Sequence, residues 1–211
     1  MAKKRGALAP SKRDYRNRRS TRQPTPLWVW AFGGGVLAVL LVAGLLYLGY
    51  NNPAASSGDI SSLVISPNPG RDHLEGDIEY ALDVPPGGPH NATWLNCGIY
   101  DQPVRTEQAV HSLEHGAVWL AYQPDLPVGQ VDSLRALVRA EQRRLGERLI
   151  ILSPKADLAD PIVATAWQAQ LRLDDPADER LVQFVRRFQK GPYTPEPGAD
   201  CTFGGIGEPL S

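Results

Sequence analysis

The sequence predicts an α+β fold: a single N-terminal transmembrane helix followed by one compact extracytoplasmic α+β domain, with a small sheet and about three to four helices. Three observations carry this expectation. One uncharged apolar run of 23 residues, Trp28 to Tyr50, stands near the N-terminus. A strand-like, a helix-like and a second strand-like segment follow one another between Ala117 and Leu152. Segments rich in Pro and Gly flank that core on both sides, Ser66 to Trp94 before it and the Cys201-bearing C-terminal stretch after it.

Residues 1–27 contain nine Lys or Arg and a single acid, Asp14, and are short of apolar residues, so they read as a disordered basic tail. The run WVWAFGGGVLAVLLVAGLLYLGY (28–50) can cross a hydrocarbon layer of about 30 Å, with Trp28 and Trp30 at one headgroup layer and Tyr47 and Tyr50 at the other. No base follows it until Arg71, a bias that places the N-terminus in the cytoplasm and the remainder outside. The alternative is a cleaved secretory signal, whose apolar core is normally about 7–15 residues, shorter than this run. Asn51 to Gly58 is a polar linker, leaving residues 59–211 for one extracytoplasmic domain.

Within that domain, PPGGPHN (85–91) is a loop. Thr106 as N-cap, Glu107 in the first turn and Gly116 past the end predict a short helix over 106–115. AVWLAY (117–122) and LIIL (149–152) read as buried strands. Val131, Leu134, Leu137, Val138 and Leu145 mark one face of a helix between them, which makes a parallel βαβ unit. Two further helices are expected, from Pro161 to about Gln170 with Pro at N1, and from Asp178 to Lys190 ending at Gly191. The C-terminal PYTPEPGADCTFGGIGEPLS returns to loop chemistry.

Beyond residue 27 the chain holds thirteen bases against twenty-two acids. That balance argues against a chain-wide nucleic-acid binder, and no nucleic-acid partner is expected. Two cysteines are too few for a disulfide-dense miniprotein. The partners expected are the lipid bilayer and a protein in the same membrane.

Cys97 and Cys201 lie outside the membrane in this topology, where thiols oxidise, and one disulfide between them is expected. The alternative makes Cys97 a metal ligand or redox thiol. All four histidines, His73, His90, His111 and His115, fall within 43 residues. His111 and His115 are four apart and share a helix face, so both imidazoles can reach one metal ion, and the loop residues His73 and His90 can complete the site. Imidazole donors suit Zn or Cu, with Ni and Fe also compatible, while the lone methionine, Met1, argues against a thioether Cu(I) site.

His111-Ser112-Leu113-Glu114-His115 also matches H-x-x-E-H, in which Glu114 acts as the catalytic base of a metal-dependent hydrolase. Such enzymes need a longer helix and a further acidic ligand, so an enzyme is the lesser expectation, and Glu114 serves equally as an acceptor orienting an imidazole. A third reading has the histidines satisfying local hydrogen bonds in an interaction module without metal. Asn91-Ala92-Thr93 forms a glycosylation sequon in a loop, and Trp94, Trp119 and Trp167 read as packing residues.

The stretches GRDHLEG (70–76), PPGGPHNATWLNCGIYDQPV (85–104), AVHSLEHGAVWLAYQPDLP (109–127), LSP (152–154), VATAWQAQLRLD (163–174) and GPYTPEPGADC (191–201) together make this chain resemble an uncharacterised bacterial family, domain of unknown function 3105. The resemblance spans nearly the whole outer domain and includes every candidate residue above. It implies a single N-terminal membrane helix with an exported domain, and implies no activity.

Overall fold

A computed structural model describes residues 60–210. The expected basic tail, membrane helix and linker lie outside the described residues, and among the described residues no helix is long and apolar enough to cross a membrane.

A mixed sheet of six strands organises the domain. In chain order the elements are β1 (Val64–Ile65), β2 (Gly98–Ile99), α1 (Thr106–Glu114), β3 (Val118–Tyr122), α2 (Val128–Leu145), β4 (Ile150–Pro154), β5 (Ile162–Ala166), β6 (Ala169–Leu173) and α3 (Glu179–Phe188). The strands lie in the order β1-β6-β5-β3-β4-β2. The expected unit of two parallel strands joined by a helix is present as β3-α2-β4, with Val118 opposite Ile150 and Tyr122 opposite Pro154. Parallel strands flanked by further strands are buried on both faces, which is why AVWLAY and LIIL read as apolar runs rather than alternating ones.

The two-residue period of β3 divides the core. Val118, Leu120 and Tyr122 join a cluster with Val131, Leu134 and Val138 of α2 and with Leu181, Phe184, Val185 and Phe188 of α3. Trp119 and Ala121 face the opposite side, where Ala109, Val110 and Leu113 of α1 pack with Cys97, Trp167 and Cys201. Two helices thus cover one face, and α1 with the long loops covers the other.

Several expectations are corrected. Residues 161–170 form no helix: Ile162–Ala166 and Ala169–Leu173 are antiparallel strands turning at Trp167-Gln168, with Ile162 opposite Leu173 and Ala166 opposite Ala169. The β-branched Ile162, Val163 and Thr165 fill a wholly buried strand between β3 and β6, and this burial overrides the local Pro signal. Arg105, not Thr106, occupies the α1 N-cap and supplies no side-chain cap. The Thr106 hydroxyl instead accepts from Lys155 Nζ at 3.3 Å. The helix expected over 178–190 is the shorter α3, where Asp178 caps the N-terminus by accepting from the Arg180 amide at 2.9 Å. Leu145, expected on the apolar face of α2, is exposed at the helix end.

The C-terminal segment is stitched across the second face. Cys97 and Cys201 form the expected disulfide, so neither is a free thiol or a metal ligand. Bridges Leu95–Ile206 and Ile99–Leu210 continue the attachment. In the chain-entropy account, a crosslink across 104 residues limits the unfolded ensemble strongly. Replacing both cysteines by Ser is expected to lower unfolding free energy by about 2–5 kcal/mol. Denaturant unfolding measures this, and an unchanged midpoint would contradict a structural crosslink.

Candidate metal centre

The segments that carry the histidines are held by backbone geometry. His73 and His90 lie on neighbouring extended strips that pair in parallel: Leu74 N donates to His90 O at 2.8 Å and His90 N donates to Asp72 O at 2.9 Å. The approach to His90 runs through Gly87 at φ +126°, where a Cβ would come within 2.7 Å of Pro69 and 3.2 Å of the Trp167 ring. Glycine is needed there both for the backbone conformation and for the space.

Helix α1 contributes His111 and Glu114, three residues apart and therefore on one face. The Ser112 hydroxyl fixes the helix against the preceding segment, donating to Leu95 O at 2.6 Å. Gly116 ends the helix at φ +96°, where a Cβ would lie 3.0 Å from the Lys190 backbone, so the turn into β3 passes tightly beneath the chain after α3.

These elements bring three imidazoles and a carboxylate together. Ring centroids are 4.9 Å apart for His73–His90, 5.1 Å for His73–His111 and 4.8 Å for His90–His111. His73, His90, His111 and Glu114 each offer a donor atom within 4.8 Å of the others, a set that can hold a metal ion. His90, His111 and Glu114 are buried, whereas His73 is half exposed at the rim. Tetrahedral coordination with metal–nitrogen bonds of about 2.0–2.1 Å separates ligand atoms by about 3.3 Å, so binding requires contraction. His73, half exposed, is the least enclosed of the four.

Hydrogen bonds select the imidazole tautomers. His90 Nδ1 lies 2.8 Å from Gly88 O and His111 Nδ1 lies 2.7 Å from Asn91 O. A carbonyl only accepts, so both Nδ1 atoms carry protons and donate, leaving each Nε2 for another role. His90 Nε2 then faces Glu114 Oε2 at 3.0 Å. Two lone pairs do not meet at that distance: a proton or a metal cation must lie between them. Arg71 Nη1, 3.5 Å from Glu114 Oε1, adds positive charge from the exposed side. Burial is the main cause that pushes His111 down to about 4, and neighbouring His115, His90 and His73 act in the same direction.

His115 stands beside this set. Its ring centroid is 4.7 Å from that of His111 and 5.1 Å from that of Trp94. Its Nδ1 donates to Asp200 O at 2.6 Å, while its Nε2 is 4.0 Å from Glu196. The shared helix face brings the His111 and His115 rings together as expected, but His115 lies outside the set of close donor atoms formed by His73, His90, His111 and Glu114. Arg71 and Glu196, 3.7 Å apart, are the charged residues that sequence reasoning missed. Both lie in stretches quoted above for the family resemblance, but no periodicity or spacing linked them to the histidines.

A family model described as protein of unknown function (DUF3105) matches residues 73–203, more than half the chain. Its span runs from His73 to just beyond Cys201 and contains the whole candidate centre. No curated protein and no solved structure matches the chain.

The lowered His111 value has a consequence for stability. An unfolded histidine takes up its proton near pH 6.5, whereas folded His111 resists protonation down to about 4. Between those values the unfolded chain binds more protons, so stability falls as pH is lowered from 6.5 towards 4. Metal-free protein is expected to melt progressively earlier across this window, with a shallower dependence in His111→Gln. Identical pH profiles for the two proteins would contradict it.

Proposed function

The chain belongs to the DUF3105 family of proteins of unknown function, and we propose that it is a membrane-tethered, extracytoplasmic metal-binding module that holds a transition metal through His73, His90, His111 and Glu114. The observation that carries this reading is the pair of buried imidazoles whose Nδ1–H groups are committed to the carbonyls of Gly88 and Asn91. A metal-ligating histidine typically donates its other ring nitrogen to a carbonyl or carboxylate, which fixes the ring and raises its basicity.

Three imidazole nitrogens and one carboxylate oxygen suit Zn or Cu(II). The burial of His111 keeps its nitrogen neutral and available at physiological pH. In this reading Glu114 is a ligand rather than a base, and the set reaches four protein donors, the closed arrangement of holding sites rather than the open one of hydrolytic sites. The apolar run Trp28–Tyr50 supplies the tether and the preceding bases its orientation.

Elemental analysis of the purified chain is expected to find about one Zn or Cu per molecule, as a site with four protein donors predicts. His90→Ala and His111→Ala lose the metal in this account, while His115→Ala keeps it. Chelation should lower the melting temperature, because the bound ion stabilises only the folded state. Unchanged stoichiometry in the His90 and His111 variants would overturn the proposal. For the tether, deletion of residues 28–50 is expected to move the protein from the membrane to the soluble fraction, and retention in the membrane would contradict it.

A further inference from the structure

Residues 60–210 carry thirteen Lys and Arg against twenty-one acids, so carboxylate partners are abundant. Eight of those bases use one: Arg71, Arg105, Arg135, Arg144, Arg172, Arg180, Arg186 and Lys190 form ion pairs. Among the described residues Lys155 and Arg187 lack a carboxylate and lie over the rings of Trp119 and Phe188. The remaining three, Arg139, Arg143 and Arg148, have no carboxylate partner among the described residues, and all three line one cavity of about 620 Å³ between the end of α2 and the C-terminal segment.

A second hollow of about 320 Å³, lined by Arg139, Arg148, Pro209 and Leu210, adjoins the first through shared walls. Gln142 lies on both walls, and its Nε2 is buried without an acceptor among the described residues. The two acids of the larger cavity are engaged elsewhere. Glu147 pairs with Lys190, and Asp200 Oδ1 accepts from the Thr202 amide at 2.6 Å.

The dipole of α2 favours cations in its last turn and accounts for Arg143. It does not account for Arg139, a turn earlier, or for Arg148, beyond the Gly146 cap. Like charges gathered without partners repel, and a guanidinium fork is the side chain best matched to a phosphate oxygen pair. Phe203, 66% exposed with the Arg148 guanidinium 5.5 Å from its ring centre, adds an apolar platform at the rim.

We propose that this groove binds a phosphate ester, its oxygens held by Arg139, Arg143 and Arg148 and its organic part resting against Phe203. The site is separate from the histidine cluster and does not depend on metal. A soluble phosphate ester and the headgroup of an anionic phospholipid share this chemistry.

Calorimetric titration of the full chain in non-ionic detergent tests the assignment, using glycerol phosphate in one arm and short-chain phosphatidylglycerol in the other. Saturable binding is expected in at least one arm, and the tighter arm identifies the source. Arg139→Gln and Arg148→Gln are each expected to weaken it about tenfold, the loss of one charge-assisted contact. Arg135→Gln, which changes charge equally but removes an Asp132 partner, should leave it unaltered. Should a Gln variant melt early, the Arg→Lys variant replaces it, keeping charge while losing the fork and still weakening binding. Absence of saturable binding in both arms, or equal weakening by Arg135→Gln, overturns the proposal.

Discussion

The pair His90–Glu114 is the constraint around which the second face of the sheet is arranged. Both side chains are almost wholly withdrawn from water and their facing atoms are 3.0 Å apart. The other nitrogen of His90 is already spent on Gly88, so the pair is stable only with a positive charge between its two acceptors. Burying a carboxylate without such compensation costs several kcal/mol, and removing one partner of a buried pair is correspondingly damaging. In the proposed reading a metal ion satisfies the pair and recruits His73 and His111 at the same time. Arg71 offers only partial compensation, being largely exposed and 3.5 Å away.

The scaffold holds that pair through three independent attachments. Helix α1 is anchored by Ala109, Val110 and Leu113 on the apolar face of the sheet, which turns His111 and Glu114 towards the loops. The diglycine loop delivers His90, and pairing of its strip with the His73 strip brings in the third imidazole. The disulfide holds the C-terminal segment close, so that Asp200 can accept from His115 and Glu196 can meet Arg71. Burial thus encloses His90, His111 and Glu114, while His73 stands half exposed at the rim.

Much of this was legible where local patterns decide. The unit β3-α2-β4 follows from apolar runs around an amphipathic segment, and the cysteine pair follows from there being two cysteines and from the location expected for them. The density of histidine around His73–His115 pointed to the right region. Reading failed where tertiary contacts overrode local signals. Pro161 suggested a helix start, but the sheet needed a strand between β3 and β6. Helical spacing linked His111 to His115, and their rings do lie 4.7 Å apart, but Asp200 of the C-terminal segment accepts from His115 Nδ1, and how the expected His73 and His90 reach His111 is set by a loop pairing that no periodicity encodes. Glu114 was read from its motif as a base or as an acceptor for an imidazole, and only the fold identifies that imidazole as His90.

Anomalous diffraction from crystals of the metal-loaded chain, recorded on either side of the Zn or Cu absorption edge, tests the central claim most directly. A single strong peak enclosed by His73 Nε2 or Nδ1, His90 Nε2, His111 Nε2 and a Glu114 oxygen is the predicted result. A peak elsewhere, or ordered imidazoles around His90 with no anomalous signal between them, would show that a proton rather than a metal joins the buried pair.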